Sequence, residues 1–345
     1  MKINEQRKRG PVGAVLGSAF AVSMAVAGLC APAHAAEVNW DLSIVGKPRA
    51  FTANVEALAA EVDRLSGGEF KIKVHFGGAL APSRETLDGL KIGAFDAGVF
   101  CAAWHPGKTP GLMGLSLPFL PILNLEEQEH TLEAFLGNAA IRDELAKWNT
   151  VPIMGTLVPR YEIMGKGKPP LTMEDWEGRR LSAPAGLAAA METLGTITTM
   201  QPAAETYGAL DRGVVDMVGM PYTYAFSAYK IQEISDWYTS NLALGSTGCL
   251  VTANKASWEK LPENFQAMLE EAKSAAYASQ RAAYEGADDV NVGAFEKAGL
   301  TNVAYTDEQR AAISASAQPI WDAWVKAATD EHGLPGAELL GILTK

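Results

Sequence analysis

The sequence predicts an α/β protein of two lobes joined by crossing segments. Three observations lead there. Short strand-like runs alternate with amphipathic helix-like runs along most of the chain. The 345 residues, less an N-terminal export segment, suit two domains of ordinary size. A proline-free helical stretch after Pro262 is far longer than one small domain needs.

The export segment comes first. Lys2, Arg7, Lys8 and Arg9 precede an apolar run from Val12 to Leu29, and Ala33 and Ala35 supply small residues at −3 and −1, so residues 1–35 read as a signal peptide cleaved after Ala35. Leu29 before Cys30 is not the small residue a lipid-anchor signal needs, and no later run is apolar enough to span a membrane. The segment holds four bases and one acid, so its removal takes the formal charge from −11 to −14. Such a chain has no electrostatic attraction for nucleic acid or anionic lipid. Only Cys101 and Cys249 remain, too few for a disulfide scaffold. Pairing and two buried thiols both stand open.

The elements follow in order. Trp40 to Val45 alternates as a half-buried strand. Phe51, Val55, Leu58, Ala59, Val62 and Leu65 share one helical face, which Gly67-Gly68 ends. Phe70, Ile72 and Val74 make a second strand, Leu87 and Leu90 a short helix, and Phe95 to Phe100 a third strand, the β-α-β-α-β order of a parallel sheet. After Leu115 to Pro121 a helix is expected from Glu126 to Trp148, then a strand from Pro152 to Val158. A second set adds strands at Tyr161 to Met164, Arg180 to Ser182 and Val214 to Val218, with helices at Leu187 to Leu194 and Ala203 to Leu210. The stretch from Pro262 to Phe295 either runs between the lobes as one helix or breaks near Gly286. There is no internal repeat, low-complexity tract or flexible linker.

Catalytic patterns are missing. His75, His105, His130 and His332 lie in no HExxH, and no carboxylate or cysteine stands at metal-ligand spacing from them. No GxSxG surrounds a serine, so Ser182 has no nucleophile elbow. "GGEF", "GGAL" and "GSTG" match neither the phosphate loop nor the dinucleotide fingerprint. The expectation is a binding protein with no catalytic residue, no cofactor and no metal. An α/β enzyme with a site assembled from distant residues is the alternative from another class.

Four stretches in order give a resemblance. "LSGGEFKIKVHFGGALAPSRETLDGLKIGAFDAGVF" (Leu65 to Phe100), "LPFLP" (Leu117 to Pro121), "MEDWEGRRLSAPAG" (Met173 to Gly186) and "ETYGALDRGVVDMV" (Glu205 to Val218) are similar to the motifs of the DctP-like solute-binding proteins of TRAP transporters. The resemblance implies a two-lobed periplasmic binding protein fold, with a ligand cleft between the lobes and a long helix spanning both. It implies lobe I at 36–159 and 248–287, and lobe II at 160–247 and 288–345. It also implies a periplasmic location, a small-molecule ligand captured by closure, and TRAP permease membrane subunits as partners. Self-association is open between monomer and homodimer.

The family's clamp is an arginine four residues after the "lkG" glycine, where this sequence has Ser182. Moving Arg180 there would put Leu181 in the wrong alternation. Carrying other positions across brings Cys101, Trp104, Ala185, Ala203 and Met220 toward the cleft, with Tyr207, Tyr222, Tyr224 and Phe226 nearby in sequence. One reading is an aromatic cage with Glu162 or Glu205 for an amine or quaternary ammonium. A second is a small carboxylate or sulfonate held by Arg49 or Arg160.

Overall fold

Alternation sets the first strand: β1 (Val38–Ser43) buries Trp40 and Leu42 and exposes Asn39 and Asp41. It belongs to a computed structural model that describes residues 37–345, residue 106 excepted. The expected signal peptide lies outside the described residues. α1 (Ala53–Leu65) turns Val55, Leu58 and Val62 inward, the chain reverses through Gly67 and Gly68, both at positive φ, and β2 (Phe70–His75) pairs parallel to β1. Through α2 (Thr86–Lys91) the chain reaches β3 (Ala97–Cys101), wholly buried and parallel to β1 on its other edge. The anticipated β-α-β-α-β order is present.

One helix was expected from Glu126 to Trp148, and two form: α3 (Leu125–Gly137) and α4 (Ala139–Ala146). Asn138 between them is extended at φ −68°, ψ 134°, and its side chain accepts from Ala140 N–H at 2.9 Å. An asparagine that caps a new helix outweighs the apolar periodicity running through it. β4 (Thr150–Thr156) then ends the first run.

The second run places β5 (Tyr161–Gly165), β6 (Arg180–Ser182), α5 (Ala185–Glu192), β7 (Ile197–Thr199), α6 (Ala203–Asp211), β8 (Met217–Pro221), α7 (Tyr224–Ala228) and β9 (Trp237–Thr239). β8 begins three residues later than the expected strand, because Gly213 at φ +66° turns the chain and leaves Val214 exposed. The chain returns through β10 (Cys249–Asn254) and α8 (Lys255–Lys260), runs along α9 (Glu263–Lys297), and ends in β11 (Thr301–Val303), α10 (Asp307–Ser314), α11 (Ala317–Asp330) and α12 (Gly336–Leu343).

These strands form two sheets, ordered β2-β1-β3-β10-β4 and β11-β9-β5-β8-β6-β7, and each sheet carries one lobe of the fold. β10 is antiparallel to both β3 and β4, so the first sheet is mixed rather than purely parallel. Between the sheets the chain crosses after β4, after β9 and along α9.

α9 is continuous through Gly286 and packs along α1. Its buried Tyr277, Gln280 and Tyr284, spaced along one helical face, stitch it to the first crossing. Tyr277 OH accepts from Gly155 N–H at 2.7 Å, Gln280 Oε1 accepts from Leu157 N–H at 2.9 Å, and Tyr284 OH donates to Leu157 O at 2.9 Å. Phe265, near its start, stacks on Phe70 at 5.5 Å, and Phe70 meets Trp40 edge-on at 5.2 Å. Each such ring contributes roughly 1.5–3 kcal/mol through burial. The tail assigned by resemblance to lobe II also touches the first lobe. α12 packs on α3, Glu338 Oε1 accepts from Asn138 Nδ2 at 2.7 Å, and Trp324 Nε1 donates to Pro110 O at 3.0 Å.

Candidate functional site

Arg49 stands in the connection between β1 and α1. Its backbone is extended, and its N–H donates to the Thr52 hydroxyl at 2.9 Å, which itself donates to Glu56 Oε1 at 2.5 Å. That cap fixes where the side chain sets out. The guanidinium then reaches the other lobe: Nη2 donates to Tyr229 OH at 3.0 Å, and Cζ lies 5.1 Å from the Tyr229 ring and 6.0 Å from those of Tyr224 and Phe51. Gly46, at φ +82°, lies beneath it, where a Cβ would come within 2.6 Å of Nη2. Arg49 Nε is buried and has no hydrogen-bond partner among the described residues.

This guanidinium lines a cavity of about 890 Å³ between the two sheets. Among the described residues that line it there is no aspartate or glutamate, and there are three cations, Lys47, Arg49 and Arg84. None of the three has a carboxylate within 4.0 Å among the described residues. Lys47 and Arg84 are exposed, while Arg49 is half-buried. In a chain of formal charge −11, an unpaired cationic cleft is a local reversal of sign that draws anions inward.

The remaining lining is mainly apolar. Phe51, Trp104, Met200 and Met220 contribute to it, as do Cys101 and Cys249, which face each other across β3 and β10 and are joined by a disulfide. The pairing left open by the sequence is thus present. Tyr161 adds a phenol that burial pushes up to about 12, so it stays a neutral donor at working pH.

Of the residues singled out from the sequence, Arg49, Cys101, Trp104, Ser182, Ala203, Met220 and Tyr224 line this cavity. Ser182, at the end of β6, is buried, and its hydroxyl accepts from Gln201 N–H at 3.2 Å, tying the strand to the approach to α6. Arg180 points elsewhere and forks onto Asp216 through Nε at 3.0 Å and Nη2 at 2.6 Å. Alternation puts Arg180 on the same strand face as Ser182, yet it lies outside the cavity lining, held by Asp216.

The others, Ala185 among them, lie apart. Arg160, Glu162 and Tyr222 line a separate groove of about 460 Å³ that meets the cavity only at Val158 and Thr247. Tyr207 packs half-buried against the core and lines neither. β5 explains Glu162: successive side chains face opposite ways, so Tyr161 enters the cavity and Glu162 leaves it. Glu162 is instead a structural acceptor. It takes Thr239 Oγ1 at 2.5 Å, Leu242 N–H at 3.0 Å and Ala243 N–H at 2.8 Å, and burial pushes its carboxyl up to about 7. Glu205 is exposed and outside the cavity. The aromatic group also separates: Tyr222 stacks on Tyr238 at 6.5 Å, Phe226 is buried against Phe295 at 6.4 Å, and only Tyr224 reaches the cavity. Its ring, with those of Tyr229 and Phe51, surrounds the protein's own guanidinium. Tyr229, Gly46, Lys47 and Arg84 were not singled out from the sequence, although the first three border Arg49 in space or in chain order.

The family model of the bacterial extracellular solute-binding proteins, family 7, named DctP, matches residues 46–327. The chain belongs to that family. Among its DctP relatives, the C4-dicarboxylate-binding periplasmic protein DctP of Rhodobacter capsulatus is 27% identical over 340 residues, 93% of this chain and 98% of that one. A monocarboxylate 2-oxoacid-binding periplasmic protein of a Nostoc species is 25% identical over 224 residues, 63% of this chain. That match spans 60% of the relative's own length. Among solved structures, a marine-metagenome TRAP solute-binding protein specific for aromatic acid ligands, complexed with 3-hydroxybenzoate, superposes with a TM-score of 0.79 at 22% identity, covering 90% of this chain and 98% of that one. The DctP family is one of solute-binding transport proteins with the two-lobed fold seen here. Among the described residues no helix is long and apolar enough to cross a membrane, and no cluster of three or more histidine, cysteine or acidic side chains suits a metal.

Proposed function

We propose that this chain is the periplasmic solute-binding protein of a TRAP-type transporter, and that it captures a small organic acid whose carboxylate meets Arg49 in the cleft. The observation that carries this reading is the cavity lining: three unpaired cations and no acidic side chain among the described residues, in a strongly acidic chain. The names of the relatives support it, since the proteins described above take 2-oxoacids, C4-dicarboxylates and an aromatic acid.

Arg49 is the half-buried cation of the three, so one carboxylate of the ligand is paired in the interior and the rest of the ligand meets the apolar wall. The amine reading lacks its parts. Glu162 is committed to the loop after β9, Glu205 is outside, and the aromatic box already surrounds a cation. Arg160 faces the other groove, which leaves Arg49 as the arginine of choice. The chain acts as a binder without turnover, with the crossings near 159 and 247 as hinges between lobe I (36–159, 248–287) and lobe II (160–247, 288–345). The ligand favours the closed state by touching both lobes, and the closed form delivers it to the permease subunits.

A thermal-shift panel on the purified protein tests this, with pyruvate, benzoate, succinate, a sulfonate and choline as probes. Stabilisation by carboxylates, without consumption of the probe, supports the reading. Stabilisation by choline alone overturns it.

A further inference from the structure

Arg49 and Tyr229 belong to different lobes. Arg49 follows β1 of the first sheet, while Tyr229 ends α7 behind β8 of the second. Their 3.0 Å bond therefore depends on lobe separation, since an outward movement of about 1 Å would leave hydrogen-bond range. Tyr229 takes one N–H of Nη2. Of the five guanidinium donors the others stay available, and Nε–H is buried without an acceptor. Elsewhere in this chain Nε and Nη2 together form the fork by which Arg180 holds Asp216. A carboxylate is the acceptor that suits a guanidinium fork, and because Nε is buried the Nη N–H groups that Tyr229 leaves free are the ones a ligand in the cavity meets.

Held only by its own flexible stem, an arginine would sample many rotamers and lose that freedom on binding. Here the Tyr229 hydroxyl, the flanking rings of Tyr229, Tyr224 and Phe51, and the bare backbone of Gly46 confine the head group beforehand. The family's clamp position on β6 carries Ser182, whose hydroxyl is occupied by Gln201 N–H. The substitute cation comes from the other lobe and reaches across.

We propose that Tyr229 is the positioning residue of this site: it orients the Arg49 guanidinium for a ligand carboxylate, and it makes that orientation conditional on closure of the lobes. The inference rests on the reading that the ligand is a carboxylate. It adds that one contact between the lobes both prepares the cation and reports closure, so capture and closure are coupled through a single side chain.

The test is Tyr229→Phe, which keeps the ring against the guanidinium and removes the acceptor. Calorimetric titration with pyruvate, benzoate and succinate is run on wild type, Tyr229→Phe, Arg49→Lys and the double variant, with small-angle scattering of each protein without added ligand. Tyr229→Phe is expected to melt within about 2 °C of wild type and to weaken the best carboxylate about 3- to 10-fold, the loss of one hydrogen bond's worth of orientation. Its radius of gyration is expected to rise. In the Arg49→Lys background, where no fork exists, the same substitution is expected to change affinity less than about twofold. Equal affinity of wild type and Tyr229→Phe, or an equal loss in both backgrounds, overturns the positioning role while leaving the carboxylate reading intact. Failure of wild type to bind any of the three acids overturns that reading and this inference with it.

Discussion

The hydroxyl of Tyr229 accepts from the guanidinium of Arg49 at 3.0 Å, although 180 residues separate them and each belongs to a different sheet's lobe. The contact sets a cation, without a carboxylate partner among the described residues, against a largely apolar wall. Four expectations follow from that chemistry and from the residues that support it.

Of the three cations that line the cavity only Arg49 is half-buried, while Lys47 and Arg84 are exposed. A monocarboxylate with an apolar body is therefore expected to bind more tightly than a dicarboxylate of similar length. Burying a second, unpaired carboxylate against Met200, Met220 and Trp104 costs more than about 1.4 kcal/mol, which is tenfold in affinity. Competition titrations of benzoate against adipate measure the ratio. A dicarboxylate that binds as tightly would locate a second interior cation partner.

Gly46 is favoured by its φ of +82°, and a Cβ there would come within 2.6 Å of Arg49 Nη2 and push the head group aside. Gly46→Ala is expected to lower stability by about 1 kcal/mol and to weaken carboxylate binding at the same time. Urea denaturation and calorimetry on the same sample check both. A loss of stability with unchanged affinity would show that the head group does not depend on this backbone.

Ser182 lines the cavity but spends its hydroxyl on Gln201 N–H. Ser182→Ala is expected to cost about 1 kcal/mol of stability and to leave carboxylate affinity within about threefold. A larger loss of affinity by titration would make the serine a ligand contact.

Glu162 gives a pH dependence. Burial raises its carboxyl in the folded state to about 7 from an ordinary value near 4.5, so the folded protein holds that proton more tightly than the unfolded chain. Its contribution to stability is complete below about pH 4.5 and is lost as pH rises through about 7, by a few kcal/mol in all. The difference in unfolding free energy between wild type and Glu162→Gln, followed from pH 4 to 8, is expected to move in that direction. A difference that stays flat would contradict the assignment.

Much of this was legible in the sequence, and its limits are physical. β1, α1 and β2 stand within two residues of their expected places, because alternation and helical spacing act locally. The three-residue strands β7, β9 and β11 are too short for a period to register, and β6, equally short, is marked instead by the turn residues Gly178 and Pro184 that bracket it. β10, like β3, is buried throughout and shows no alternation, and it lacks the preceding β-α-β order that marks β3. At the site, Arg49 and Tyr224 were named in advance, while Tyr229 was not, since a contact between lobes leaves no trace in local pattern. The alternation that brings Tyr161 into the cavity carries Glu162 to the other groove, a relation already readable in the sequence of β5.

The most direct measurement is calorimetric titration of the tightest carboxylate into wild type and into Arg49→Ala. Loss of a buried, hydrogen-bonded charge partner is expected to cost about 2–5 kcal/mol, a weakening of roughly 30-fold to several thousandfold, with the fold retained by circular dichroism. Binding of the same acid by Arg49→Ala within a few-fold of wild type would contradict the account, because the cleft's cation would then not be the ligand's partner.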